Sequence, residues 1–120
     1  MFTVAEAQTL LDELTPTIND LLAVRADATE LRWAVNQGIT CDLGGLPELK
    51  AAHAKLDELV SQIAAAHVQI KGIAPLLLDF PAELDGASVL LCWLEGDQRL
   101  SWYHRVELGF AGRRRLPGHS

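Results

Sequence analysis

Five side chains in the second half of the chain carry reactive chemistry, Asp79, Cys92, His104, Glu107 and Arg113, and they are interleaved with Trp93, Trp102 and Tyr103. Thiolate, imidazole and carboxylate are the usual donors for zinc or iron, so Cys92 and His104 with a carboxylate are candidate ligands for a transition metal. The same two residues could also act as a thiolate nucleophile and its base, provided they lie within hydrogen-bond reach beside an oxyanion site. The spacing supports neither use: there is no Cys-x-x-Cys, His-Glu-x-x-His or Gly-x-Ser-x-Gly, no phosphate-cradling glycine loop and no dinucleotide fingerprint. A structural role is favoured for most of the group. Trp93 and Trp102 would anchor a sheet on helices, with Cys92 as a small buried hydrophobe. Asp79, ahead of Phe80-Pro81, would fix a turn through backbone amides, with Arg113 paired to Asp79 or Glu107. No cofactor is expected on this reading, a transition metal being the alternative.

Ser88 to Leu94 and Arg99 to Arg105 flank Glu95-Gly96-Asp97-Gln98 and read as a β-hairpin. Closing it with Leu94 opposite Arg99 pairs Trp93 with Leu100, Leu91 with Trp102 and Val89 with His104. Cys92 and His104 then point to opposite faces, and only a one-residue slip, from an odd-length loop or a bulge, brings them together. Leu76 to Phe80, ending at Pro81, is a possible third strand, since a lone hairpin is marginally stable.

The first 74 residues read as two helices. Thr3 and Glu6 form a capping box. Apolar residues then recur at Ala7, Leu14, Leu21, Ala28 and Val35, with a companion row at Leu10, Thr17, Val24 and Leu31. Pro16 either kinks this helix or opens a second one capped by Thr15; the heptad phase continues across it, which favours the kink. Residues 38–47 hold three glycines and a proline and read as a loop. A second seam runs through Leu49, Leu56, Ile63 and Ile70 beside Ala52, Leu59, Ala66 and Ile73, with Gly72 and Pro75 suited to its end. His53 and His67 lie fourteen residues apart, roughly 21 Å along a helix, too far to share a metal. The expected fold is therefore a mainly α single domain over 1–120: a long antiparallel, coiled-coil-like helical hairpin over 1–74, then over 75–120 a small antiparallel β-hairpin or three-stranded sheet with a C-terminal tail. Leu11, Ile18, Leu22 and Val60 fall beside the predicted stripes, and a second copy of the chain would cover them, so a homodimer through the helices is expected.

Hydrophobic residues make up 49% of the 120 and charged residues 22%, a globular composition. The net charge of −6 opposes a generic nucleic-acid binder. The only cysteines are Cys41 and Cys92, the N-terminus resembles no signal peptide, and no apolar run spans a bilayer, so a cytoplasmic protein with free thiols and no membrane partner is expected. Charge is polarised along the chain: residues 99 to 120 contain five Arg against Glu107 alone. Arg113-Arg114-Arg115 could meet an anionic ligand, although such a run near a terminus is more often a solvated tail.

Leu78-Asp79-Phe80-Pro81, Leu91-Cys92-Trp93, Tyr103-His104 and Gly109-Phe110-Ala111-Gly112-Arg113, in that order, resemble the bacterial domain-of-unknown-function family 2203. Phe2-Thr3, Glu6-Ala7 and Leu10-Leu11 resemble its start, so the likeness covers nearly the whole chain. Gly72 after Lys71, and Arg105 after His104, stand where that pattern has an acidic residue. The resemblance implies a helical hairpin with a terminal β unit and supplies no activity. The expected function is a small non-catalytic dimeric interaction or adaptor module rather than an enzyme. Its terminal Arg and aromatic region would meet a protein or small anionic partner, with Asp79, Trp93, Trp102, Tyr103, His104, Glu107 and Arg113 as the candidate residues. A metal-binding protein or enzyme centred on Cys92 and His104 is the alternative.

Overall fold

The computed structural model describes residues 1–117. Two helices, α1 (Val4–Gln37) and α2 (Leu46–Ala65), precede five strands: β1 (Gln69–Ile73), β2 (Leu76–Leu84), β3 (Ala87–Leu94), β4 (Trp102–Arg105) and β5 (Arg114–Arg115). The strands form one antiparallel sheet in the order β1-β2-β3-β4-β5. The expected mainly α fold with a hairpin or three strands is therefore corrected to two helices and a five-stranded sheet. The chain forms two compact units, one of Met1–Glu13 with the described residues from Ile63 onward, the other of Leu14–Gln62. Both helices contribute to both units.

The start of α1 follows the capping box: Thr3 N donates to Glu6 Oε1 at 2.9 Å and Glu6 N donates to Thr3 Oγ1 at 3.1 Å. The helix runs unbroken through Pro16. That residue is exposed, so the carbonyl left without its donor lies on the solvent side. The buried row differs from the expected one. Ala7, Leu21, Ala28 and Leu31 are buried as anticipated, but Leu11 and Ile18 take the companion positions assigned to Leu10 and Thr17. In the Leu14–Gln62 unit, Ala28 and Leu31 pack with Leu49, joined by Val35, Cys41 and Ala52. Across the same turn Arg32 Nη2 donates to His53 Nε2 at 3.0 Å, which gives His53 an interhelical role.

The second helix ends seven residues before Gly72, a further correction. Ala66 N and His67 N bond back to Ile63 and Ala64 carbonyls, and His67 takes a left-handed φ of 65°, which stops the helix. His67 is thus a terminating residue rather than a seam neighbour. Val68, Ile70 and Ile73 then supply the β-branched side chains of a strand region. Ile70 and Ile73 fall on heptad positions, which made them look helical.

The strand expected over Leu76 to Phe80 is present and longer. It reaches Leu84 and returns through Asp85-Gly86, with φ of 51° and 80°, the pair of left-handed residues that a two-residue hairpin turn requires. Pro81 has no donor, and its carbonyl accepts Phe2 N at 2.8 Å, so the N-terminus extends the sheet where β1 stops. Phe2 also meets Phe80 edge-on, with ring centroids 6.3 Å apart.

Strand register assigns the two faces. Leu78, Phe80 and Ala82 pair with Trp93, Leu91 and Val89, and this face is apolar and buried. The opposite face carries Asp79 and Pro81 against Cys92 and Leu90, which in turn pair with Trp102 and His104. The register predicted for the last hairpin is wrong by one residue. Leu94 pairs with Leu77 and Glu95 N bonds to Leu76 O, so β3 extends along β2 after leaving β4, and Cys92 faces Trp102 across an odd-length connection. That slip moves His104 to the face of Cys92.

Candidate functional site

Asp79 and His104 are the buried polar residues of the described chain, each 2% exposed. They sit on β2 and β4, and their side chains meet over the intervening strand β3. His104 Nε2 lies 3.2 Å from Asp79 Oδ2, and His104 Nδ1 lies 2.8 Å from the Arg105 carbonyl. A carbonyl only accepts, so Nδ1 carries hydrogen and donates to it. Lys71 Nζ, half-exposed, adds a positive charge 3.7 Å from the same oxygen. It stands at the point where β1 shifts register, between Ile70 and Gly72. Asp79 Oδ1 is buried without a hydrogen-bond partner. The turn role expected for Asp79 is therefore replaced by a buried ion-pair role in mid-strand.

Cys92 lies between them on β3, fully buried and free of any disulfide. Burial pushes its thiol from 9.0 up to about 12, and the charge of Asp79 adds to that, while Arg113 opposes it. At neutral pH the thiolate fraction is on the order of 10⁻⁵. A nucleophile needs the opposite shift.

Arg113 reaches this face through the turn after β4. Gly109 takes a φ of 68°, and the short 3-10 turn over Phe110–Gly112 brings residue 112 so close to Leu108 that a Cβ there would lie 2.6 Å from the Leu108 Cβ. The Gly-Phe-Ala-Gly-Arg motif is thus a backbone device. It lays the Arg113 guanidinium 4.5 Å from the Trp102 ring centroid and 4.4 Å from that of Phe110. Neither expected ion pair of Arg113 forms among the described residues: Asp79 pairs with His104 and Lys71, and Glu107 with Arg105 at 3.0 Å. Arg115 also stacks on Trp102, at 4.9 Å.

Of the predicted site residues, Asp79, Cys92, Trp102, His104 and Arg113 come together on one face. Trp93 and Tyr103 belong to the other, where Tyr103 pairs with Leu91 and Trp93 Nε1 donates to Asp97 O at 2.9 Å. Glu107 is exposed, its carboxylate held below the ordinary range by its own backbone amide and by Arg105. Lys71 and Arg99 escaped sequence reasoning, whereas Arg115 belongs to the arginine run read as a possible anion contact. For Lys71 the missed signal is the run of β-branched residues around it.

The register objection to a joint Cys92 and His104 site is overturned, and different facts now bear on it. Both imidazole nitrogens are engaged within the protein, so neither is available as a base or a ligand in this arrangement. Among the described residues no group of three or more His, Cys, Asp or Glu is arranged to hold a metal ion.

Fold and site together define an α+β protein whose antiparallel sheet keeps a buried carboxylate-imidazole pair on one face. The family described as "Uncharacterized conserved protein (DUF2203)" matches residues 1–116, and the chain belongs to that family, as the motifs around Asp79, Cys92, His104 and Arg113 implied. No curated protein and no solved structure matches it. None of the helices among the described residues is long and apolar enough to cross a membrane.

Cys92 provides a direct check. Its proton is held more tightly in the folded chain, so the stability it contributes is present below pH 9.0 and is lost as pH rises toward about 12. In a Cys41→Ser variant, alkylation of the remaining thiol at neutral pH should proceed only as fast as the protein unfolds. Prompt modification of the native protein would contradict the assignment.

Proposed function

We propose that this protein is a non-catalytic interaction module that meets an anionic partner through the arginine-bearing edge of its sheet and self-associates through its helical unit. One contrast carries the reading. The side chains with catalytic chemistry are spent internally: His104 uses both nitrogens, Asp79 faces His104 and Lys71, and Cys92 is a buried thiol. Arg99, Arg114 and Arg115, by contrast, are exposed, and no carboxylate pairs with them among the described residues. In a chain of net charge −6, unneutralised cations gathered at one sheet edge favour contact with an anion.

The case for self-association moves to a different surface. Leu11 and Ile18 are already covered within a single chain. Trp33, Ile39, Leu43 and Leu46, which flank the turn from α1 to α2, are exposed instead, and large apolar side chains left in water favour association. The same reading takes the protein as cytoplasmic, where the free thiols of Cys41 and Cys92 stay reduced.

A fluorescent glutamate-rich peptide tests the anionic contact. Its binding should weaken as salt rises and disappear in an Arg114→Glu, Arg115→Glu variant; absence of binding at low ionic strength sinks the proposal. For self-association, light scattering should give a mass of twice 13.1 kDa, falling to 13.1 kDa when Trp33 and Leu46 are both changed to Ser. A mass of 13.1 kDa for the unaltered protein at all working concentrations would rule it out.

A further inference from the structure

We infer that the cleft beside β4 and β5 binds a small phosphate-bearing molecule, an inference that rests on reading the arginine edge as an anion-binding surface. The cleft has a volume of about 410 Å³, and its lining includes Asp97, Gln98, Arg99, Ser101, Trp102 and Arg115. That volume lies within the range of small-molecule pockets, roughly 300–1,000 Å³, and far exceeds the roughly 30 Å³ share of one water. It suits an organic group that carries the anion rather than a bare ion.

The two guanidinium groups come from separate elements, Arg99 from the connection between β3 and β4 and Arg115 from the edge strand β5. The Arg115 guanidinium lies over the Trp102 ring, 4.9 Å from its centroid, a cation–π contact that consumes none of its N–H donors as conventional hydrogen bonds. Its orientation is therefore set before anything binds, which lowers the ordering cost of recognition. Ser101 and Gln98 add a hydroxyl and an amide as neutral partners.

Charge selects phosphate over carboxylate. Asp97 opposes an anion, but its Oδ2 accepts Leu94 N at 3.0 Å and its backbone carbonyl accepts Trp93 Nε1, so it is turned into the hairpin. Setting Asp97 against Arg99 and Arg115 leaves the lining net positive, and Arg113, 4.5 Å from the same indole, adds to the local potential. A phosphate monoester carries about −1.5 to −2 at neutral pH and presents three acceptor oxygens to the forked donors. A carboxylate carries half that charge.

Nitrogen-15 NMR of the full chain, titrated with ribose 5-phosphate and in parallel with acetate and with sodium chloride at matched ionic strength, tests this. The Trp102 indole and the Arg99 and Arg115 Nε–H signals should move saturably with ribose 5-phosphate while the Trp33 and Trp93 indoles stay in place. Acetate should bind about tenfold more weakly, and Arg99→Gln or Arg115→Gln should each weaken ribose 5-phosphate about fivefold or more, whereas Arg105→Gln should not. Shifts that do not saturate, that sodium chloride reproduces, or that ignore both substitutions would overturn the site. If the glutamate-rich peptide still binds in that event, the broader reading stands and only the phosphate cleft falls. If the peptide also fails, both fall.

Discussion

Asp79 and His104 face each other across the middle of the sheet, with β3 running beneath the contact, and most of what distinguishes this chain follows from keeping that contact intact. A carboxylate removed from water without a partner costs several kcal/mol, so the buried pair constrains the strands that carry it. Slipping β4 by one residue would send His104 to the apolar face and take from Asp79 its buried imidazole partner. The observed register, with Asp79, Cys92 and Trp102 in one line and Pro81, Leu90 and His104 in the next, is the one that avoids this. The Arg105 carbonyl completes the arrangement by fixing the ring from its other side. Any residue following His104 could supply that carbonyl, so the contact does not depend on the Arg105 side chain.

The same contact explains why the motifs that carry the family resemblance sit where they do. Asp79-Phe80-Pro81 puts a carboxylate on one face, an aromatic ring on the other and a carbonyl at the sheet edge for Phe2. Cys92-Trp93 divides likewise, the thiol beside the pair and the indole on the apolar side. Gly109 to Arg113 forms the turn that brings a guanidinium to Trp102 and within electrostatic reach of Cys92. These motifs build and cover an interior. The exposed cations lie just beyond them, on β5 and on the connection before β4, and there the proposed recognition of an anion is placed.

Local signals were legible in the sequence and pairing geometry was not. The Thr3 and Glu6 cap, the passage of α1 through Pro16 and the strand beginning at Leu76 each depend on neighbouring residues, and each was readable. The boundary between α2 and β1 was hidden because Ile70 and Ile73 satisfy a heptad while Val68 and Ile70 also satisfy alternation, and tertiary pairing decided between them. The buried row of α1 shifted from Leu10 and Thr17 to Leu11 and Ile18, since adjacent helical positions differ by only about 100°. The register of the last hairpin turned on Leu94 and Glu95 extending along β2, a long-range choice invisible in the hairpin itself. Five of the eight candidate site residues came together in consequence, with Asp79, Cys92 and His104 buried and Trp102 and Arg113 half-buried beside them.

The central claim is that Asp79 and His104 form one structural unit. A double-mutant cycle measures it most directly: urea unfolding of the unaltered protein, Asp79→Asn, His104→Gln and the double variant. Each single substitution should cost about 3–5 kcal/mol, and the double should cost less than their sum by roughly 2 kcal/mol or more. Costs that add to within about 0.5 kcal/mol would show that the two side chains do not depend on each other, and the account would fail at its foundation.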